Sequence, residues 1–155
     1  FSIGTATYGI TFFLPPILSP ASLELACERV REVQARFGHL DIVVSNVALR
    51  PHQGLLEMSV ADWRRVLDTN LGAAFHLARA AIPGMQARGW GRIIHISGKD
   101  AFQPGPGRAH NVAAKAGLHG FTKALAVGAT PLKIVDNFHS QDTGEVIEPR
   151  TLQLR

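Results

Sequence analysis

The chain has 155 residues, 46% of them hydrophobic and 18% charged, which is enough for one folded domain with a core, too little for two, and too apolar for a disordered segment. Sixteen Lys and Arg against twelve Asp and Glu leave a formal net charge of +4, yet Arg29, Arg31 and Arg36 share a helix with Glu24, Glu28 and Glu32, and no basic run exceeds Arg64-Arg65. A nucleic-acid footprint needs clustered basic residues, so no nucleic-acid partner is expected.

Residues 5–14 are β-branched and aromatic, and predict a strand closed by Pro15-Pro16. The apolar run Ile10–Leu18 is broken by that pair and lacks a basic flank, so it suits neither a membrane span nor a signal peptide. Cys27 is the single cysteine and permits no internal disulfide. These features point to a cytoplasmic protein without a membrane partner. The first residue is Phe1 rather than Met, so the chain is expected to start downstream of a start codon, through processing or truncation.

Ser19-Pro20 opens a helix, with a cap hydroxyl followed by Pro at the first helical position. Leu23, Ala26, Cys27, Val30, Val33 and Phe37 make one apolar stripe along it, and Gly38 ends it. Ile42-Val43-Val44 then reads as a strand covered on both faces. After a loop with Pro51 and Gly54, Ser59 and Asp62 form a capping box, and one long amphipathic helix is expected over 59–87, its far end broken by Pro83-Gly84 and Gly89. Residues 92–97 form the next strand, 103–107 a turn-rich loop, about 109–127 a third helix, and 134–138 a last strand. Strands alternating with helices and no hairpin signals predict an α/β fold with a parallel sheet.

Four segments carry a family resemblance in their order and spacing: DIVVSNVA (Asp41–Ala48), DTNLG (Asp68–Gly72), GRIIHISG (Gly91–Gly98) and HNVAAKAG (His110–Gly117). The chain resembles the short-chain dehydrogenase/reductase family over about residues 20–128. The resemblance implies a single, partial Rossmann-like domain over 1–155, a doubly wound parallel sheet lacking its first βαβ unit. It also implies an NAD(P)-dependent oxidoreductase acting on a small-molecule carbonyl/alcohol pair, with NAD or NADP as cofactor.

In that family a Tyr transfers the proton, a Lys lowers the Tyr pKa and holds the nicotinamide ribose, a Ser polarises the carbonyl, and an Asn supports a proton-relay water. The resemblance carries the Lys to Lys115 and the relay Asn to Asn70. Asn46, Val47 and Ala48 match the stretch where a strand end meets the cofactor, although the family's Gly is lost there. The Tyr position is Asn111, four residues before Lys115 and on the same helix face. A carboxamide has no titratable proton near neutral pH, so Asn111 cannot act as general acid or base. The Ser position falls on Gly98, with Ser97 beside it; strand alternation aims Ser97 at the opposite face unless the strand has already ended. His110 is the alternative proton carrier, but five residues from Lys115 means roughly 140° around a helix, which favours a capping or surface role. His39, His52, His76, His95, His119 and His139 lack metal-ligand spacing, so no metal is expected and they read as structural.

The family's Gly-rich phosphate loop has no counterpart here. Gly4 and Gly9 are five apart with no helix following, and Gly9 lies only 37 residues before Asn46, so the segment reads as strand. The family's adenine-side Asp corresponds to Pro16, and its late Pro-Gly to Gln141-Asp142. With the proton donor and the phosphate loop both missing, the chain is expected to be inactive on its own, and a non-catalytic scaffold or oligomer subunit is the second reading. Phe75, Ala73, Ala80 and Ala81 on the long helix, and Ala113, Ala116 and Leu118 on the next, put apolar or small residues on more than one side. Such helices need a second burial surface, so a homo-oligomer through 59–87 and 109–127 is expected. Lacking the preceding strands, Val43 and Val44 are expected to lie beside an exposed apolar edge.

Overall fold

The computed structural model describes the backbone of residues 9–12, 20–129, 132–139 and 146–147, and the side chains of 27–129 with Leu132 and Lys133. Strands β1 (Gly9–Phe12), β2 (Ile42–Ser45), β3 (Arg92–Ile96), β4 (Lys133–His139) and β5 (Val146–Ile147) lie across one sheet in that order. The first four are parallel, and β5 runs antiparallel beside β4. Helices α1 (Pro20–Phe37), α2 (Val60–Leu67), α3 (Ala73–Ala87) and α4 (Ala109–Gly128) fill the parallel crossovers.

Sequential strand order has a topological consequence. Right-handed crossovers that always step the same way across a sheet place every helix on one face. The packing agrees. Val30 of α1, Leu77, Ala78, Ala81 and Met85 of α3, Val43 of β2 and Ile93 of β3 form one buried cluster, and Phe121 and Leu125 of α4 pack against it. The described residues thus hold one winding of a doubly wound sheet. On the opposite face, Ile42 and Val44 of β2 and Ile94 and Ile96 of β3 are only half-buried. The strand expected to be covered on both faces is covered on one.

The bare edge expected beside Val43 and Val44 is absent, because β1 pairs there with Ile10 opposite Val43 and Thr11 opposite Val44. Gly9 is the first residue of that strand, in keeping with a strand reading of this segment. Residues 4–8, Pro15-Pro16 and Gln141-Asp142 lie outside the described residues.

The long helix departs from its expected form in two ways. Its start is as expected: Ser59 Oγ accepts from the Asp62 backbone N–H at 3.0 Å and donates to Asp62 Oδ2 at 2.6 Å. That hydroxyl, and next the Gln53 amide, hold the Asp62 carboxyl below its ordinary range. The helix then widens into a π-turn over Asp68–Gly72, so the expected single α-helix is two, α2 and α3. Asn70, at the centre of the π-turn, is held by the chain after β2 rather than by its own helix face. Further on, Pro83 lies inside α3 instead of ending it. Proline leaves the Arg79 carbonyl without a helical donor. Both residues are exposed, and the helix continues to Ala87.

Of the residues that suggested a second burial surface, Ala73, Ala81 and Leu118 are buried inside the chain. Phe75, Ala113 and Ala116 remain exposed. Among the described residues no helix is long and apolar enough to cross a membrane, and no group of three His, Cys, Asp or Glu is arranged to hold a metal ion.

Candidate active site

Ligands of open α/β sheets bind beyond the carboxyl ends of the strands, in the crevice where the strand order reverses, and the described parallel strands, which step one way, supply one side of such a crevice. Here that crevice is bounded by the chain leaving β2 (Asn46–Leu49), the chain leaving β3 (Ser97–Asp100), the π-turn, and the first turns of α4. Asn70, Asn111 and Lys115 meet in it.

Asn70 is buried, and all its amide groups are engaged. Its Oδ1 accepts from the Leu49 N–H at 2.7 Å, and its Nδ2 donates to the Leu49 carbonyl at 2.8 Å and to Asn111 Oδ1 at 3.1 Å. The side chain pairs with Leu49 as a neighbouring strand would, which fixes the exit of β2. Asn111, fully buried, passes the chain on: its Nδ2 donates to Asp100 Oδ2 at 2.6 Å. Arg108 Nη1 donates to the same oxygen at 3.1 Å. Every orientation along Leu49–Asn70–Asn111–Asp100 is therefore dictated by its neighbours.

Lys115 follows Asn111 by one turn of α4 and is also buried. Its ammonium donates to the Ile96 carbonyl at 2.9 Å and the Val47 carbonyl at 3.1 Å. A buried ammonium persists only where it is paired or hydrogen-bonded, and these carbonyls belong to the ends of β3 and β2. Asn46, half-buried, and Ala48, exposed, flank Val47. Lys115 is therefore not a solvated helix-surface lysine.

The weaker candidates fall elsewhere. Ser97 is buried on the helix-covered face with Ile93 and His95, and its Oγ has no hydrogen-bond partner among the described residues. It takes no part in the Asn70–Asn111–Asp100 chain. Gly98, at the Ser position, has φ +86° and ψ 169°, a region that L side chains avoid and glycine occupies freely. The backbone there has turned in a way a serine would resist. His110 is fully buried, which corrects the surface reading. Its Nδ1 accepts from the Asn111 backbone N–H at 2.9 Å, as a cap would, and its Nε2 is orphaned among the described residues.

Asp100 and Arg108 escaped sequence reading. They belong to no motif; the available signal was an acid two residues past the Ser position and a base three before Asn111, both close to a polar helix start. His95 Nδ1 lies 2.8 Å from Thr122 Oγ1, which itself donates to the Leu118 carbonyl, so His95 Nδ1 carries the proton. Burial, and then the nearby Lys115 charge, push the His95 pKa down to about 4, leaving the imidazole neutral at pH 7.

Comparison with known proteins identifies the family. Residues 21–137 match the family model described as short chain dehydrogenase. The chain is 40% identical over 95 residues to an acetoacetyl-CoA reductase of Cupriavidus necator, an alignment covering 61% of this chain and 39% of that protein. It is 37% identical over 110 residues to the 3-oxoacyl-(acyl-carrier-protein) reductase of Escherichia coli, covering 71% of this chain and 44% of that one. Among solved structures it is similar to a Burkholderia xenovorans protein classed as a short-chain dehydrogenase/reductase, with a TM-score of 0.70 and 27% identity over 75% of this chain and 47% of the other. A short chain dehydrogenase from Mycobacterium smegmatis shares the fold, with a TM-score of 0.72 over 76% of this chain and 50% of the other. The chain thus spans less than half the length of these two curated relatives.

Proposed function

The chain belongs to the short-chain dehydrogenase family, and on that premise we propose that it forms the nicotinamide side of an NAD(P)-dependent oxidoreductase site for a small-molecule carbonyl/alcohol pair. The observation that carries this reading is the meeting of Asn70, Asn111 and Lys115 at the carboxyl ends of β2 and β3. The donor set suits a nicotinamide ribose: an ammonium held at two strand-end carbonyls, beside the Asn46–Ala48 rim. When bound, the nucleotide supplies or receives the hydride. Lys115 would hold the ribose hydroxyls, Asn46, Val47 and Ala48 would line the cofactor, and Asn70 would fix the β2 exit against α4. Asn111 transfers no proton, because its carboxamide has none to give and both its polar ends are committed to Asn70 and Asp100. Among the described residues Ser97 Oγ has no hydrogen-bond partner, and His110 meets this group only through the Asn111 backbone N–H.

The chain is therefore inactive on its own, or nearly so. The experiment is turnover of a ketone and alcohol panel with NADH, NADPH and their oxidised forms, including acetoacetyl-CoA, the substrate named for one relative. Turnover lost in a folded Lys115→Ala variant supports a working site. Silence from a cooperatively folded protein supports the second reading, a non-catalytic scaffold or oligomer subunit, which the locked carboxamide at position 111 favours.

In either case the exposed Phe75, Ala113 and Ala116 are the surface through which two copies would pair in the cytoplasm. Light scattering at tens of micromolar, with Phe75→Lys lowering the mass, is the test. A monomer, or a mass indifferent to that substitution, contradicts pairing there.

A further inference from the structure

Away from the strand-end crevice, the seam between α1 and α3 opens into a cavity of about 430 Å³ lined by Cys27, Arg31, His76, Arg79 and Ala80. Cys27 Sγ donates to the His76 carbonyl at 3.6 Å and ties the two helices together there. The two arginines come one from each helix, and among the described residues no Asp or Glu lines the cavity. Arg29, Arg65, Arg88 and Arg108 each have a carboxylate within ion-pair distance, whereas Arg31 and Arg79 have none among the described residues. Of the acids of α1 with described side chains, Glu32 is engaged by Arg29, and Glu28 follows Cys27 by about 100° of helix rotation.

Arg31 and Arg79 line one space, and their positive charges repel. A doubly charged anion between them removes the repulsion and takes forked donors from both sides, with the His76 imidazole as a further donor. The volume lies within the range of small-molecule sites and exceeds what a bare phosphate fills, and Ala80 and Cys27 add an apolar wall for an attached group. We propose that the α1–α3 seam is a binding site for a small phosphate monoester, its phosphate held between Arg31 and Arg79. The site is separate from the oxidoreductase crevice and owes nothing to the assignment made there, since none of Asn70, Asn111 or Lys115 lines it.

The test is an NMR titration of the full chain with inorganic phosphate, ribose 5-phosphate and adenosine monophosphate, each against chloride at matched ionic strength. Saturable shifts at Cys27, Arg31, His76, Arg79 and Ala80 are expected, with at least one ester binding more tightly than free phosphate. Losing a charge-assisted hydrogen-bond partner weakens such binding about tenfold or more, so Arg31→Gln and Arg79→Gln should each do so, and the double variant should abolish it. Preference for ribose 5-phosphate or adenosine monophosphate identifies whether a sugar or a nucleoside sits on the apolar wall. Shifts matched by chloride, binding retained in the double variant, or equal affinity for free phosphate and both esters would overturn the assignment.

Discussion

The two faces of the sheet are made of similar residues and live in different surroundings. On one face, Val43 and Ile93 are fully buried under α1, α3 and α4. On the other, Ile42, Val44, Ile94 and Ile96 alternate with them along the same strands and are only half-buried. Period-two alternation normally pairs an apolar face with a polar one. Here both faces are apolar, so the sequence specifies a sheet to be covered twice, while the described helices cover it once. The site is built from what the covered side supplies: α4 with Asn111 and Lys115, and the π-turn with Asn70.

The most forceful way to break this comparison is a matched pair of truncations. Ile93→Ala should lower stability by about 2–5 kcal/mol, because it opens a cavity in the α1–α3–α4 core. Ile94→Ala should cost less than half as much as Ile93→Ala, and Ile94→Lys should improve solubility. Urea unfolding reads the first two and sedimentation the third. Equal costs at 93 and 94 would mean that both faces are already covered.

Acid should weaken the covered face through His95. His95 is held neutral, with its pKa at about 4 against 6.5 for an ordinary histidine. The unfolded chain therefore takes up this proton at higher pH than the folded one. His95 contributes its stability fully above pH 6.5, and that contribution is lost as pH falls toward 4, by roughly 3 kcal/mol at the low end. Urea midpoints at several pH values should show that slope in the parent and a shallower one in His95→Gln. Parallel profiles would show that His95 is not the group responsible.

Smaller effects sharpen the picture at the two ends of the site. Gly98→Ser restores the family's residue but meets a backbone at φ +86°, and should cost about 1–3 kcal/mol. A thermal midpoint unchanged by Gly98→Ser would mean the turn after β3 relaxes freely. Ser59→Ala removes the α2 cap and should cost about 1 kcal/mol, with no effect on ligand binding in the crevice.

How much of this was legible in the sequence follows from range. Local signals succeeded: the Ser59 cap, the Gly38 stop, the alternation of strands and helices, and the pairing of positions 111 and 115 on one helix face all depend on neighbours a turn apart. The signals that failed depend on distant partners. The π-turn reflects an amide bound to Leu49, 21 residues away. The burial of His110, and the way Asp100 and Arg108 lock Asn111, follow from how α4 docks on the turn after β3. Pro83 was misread as a stop because its exposure could not be known beforehand. The resemblance located Asn70 and Lys115, yet only the geometry shows Lys115 gripping the carbonyls of Val47 and Ile96.

The central claim is that the covered side alone presents a nicotinamide-ribose site. Nicotinamide mononucleotide tests it most directly, because it lacks the adenine half and needs no dinucleotide phosphate loop. Titrated into the isotopically labelled chain, it should shift the signals of Asn46, Val47, Ala48, Asn70 and Lys115 saturably, and Lys115→Ala should erase those shifts while the rest of the spectrum stays folded. Absence of shifts at these residues in a folded sample at millimolar ligand, or shifts that survive the loss of Lys115, would contradict it.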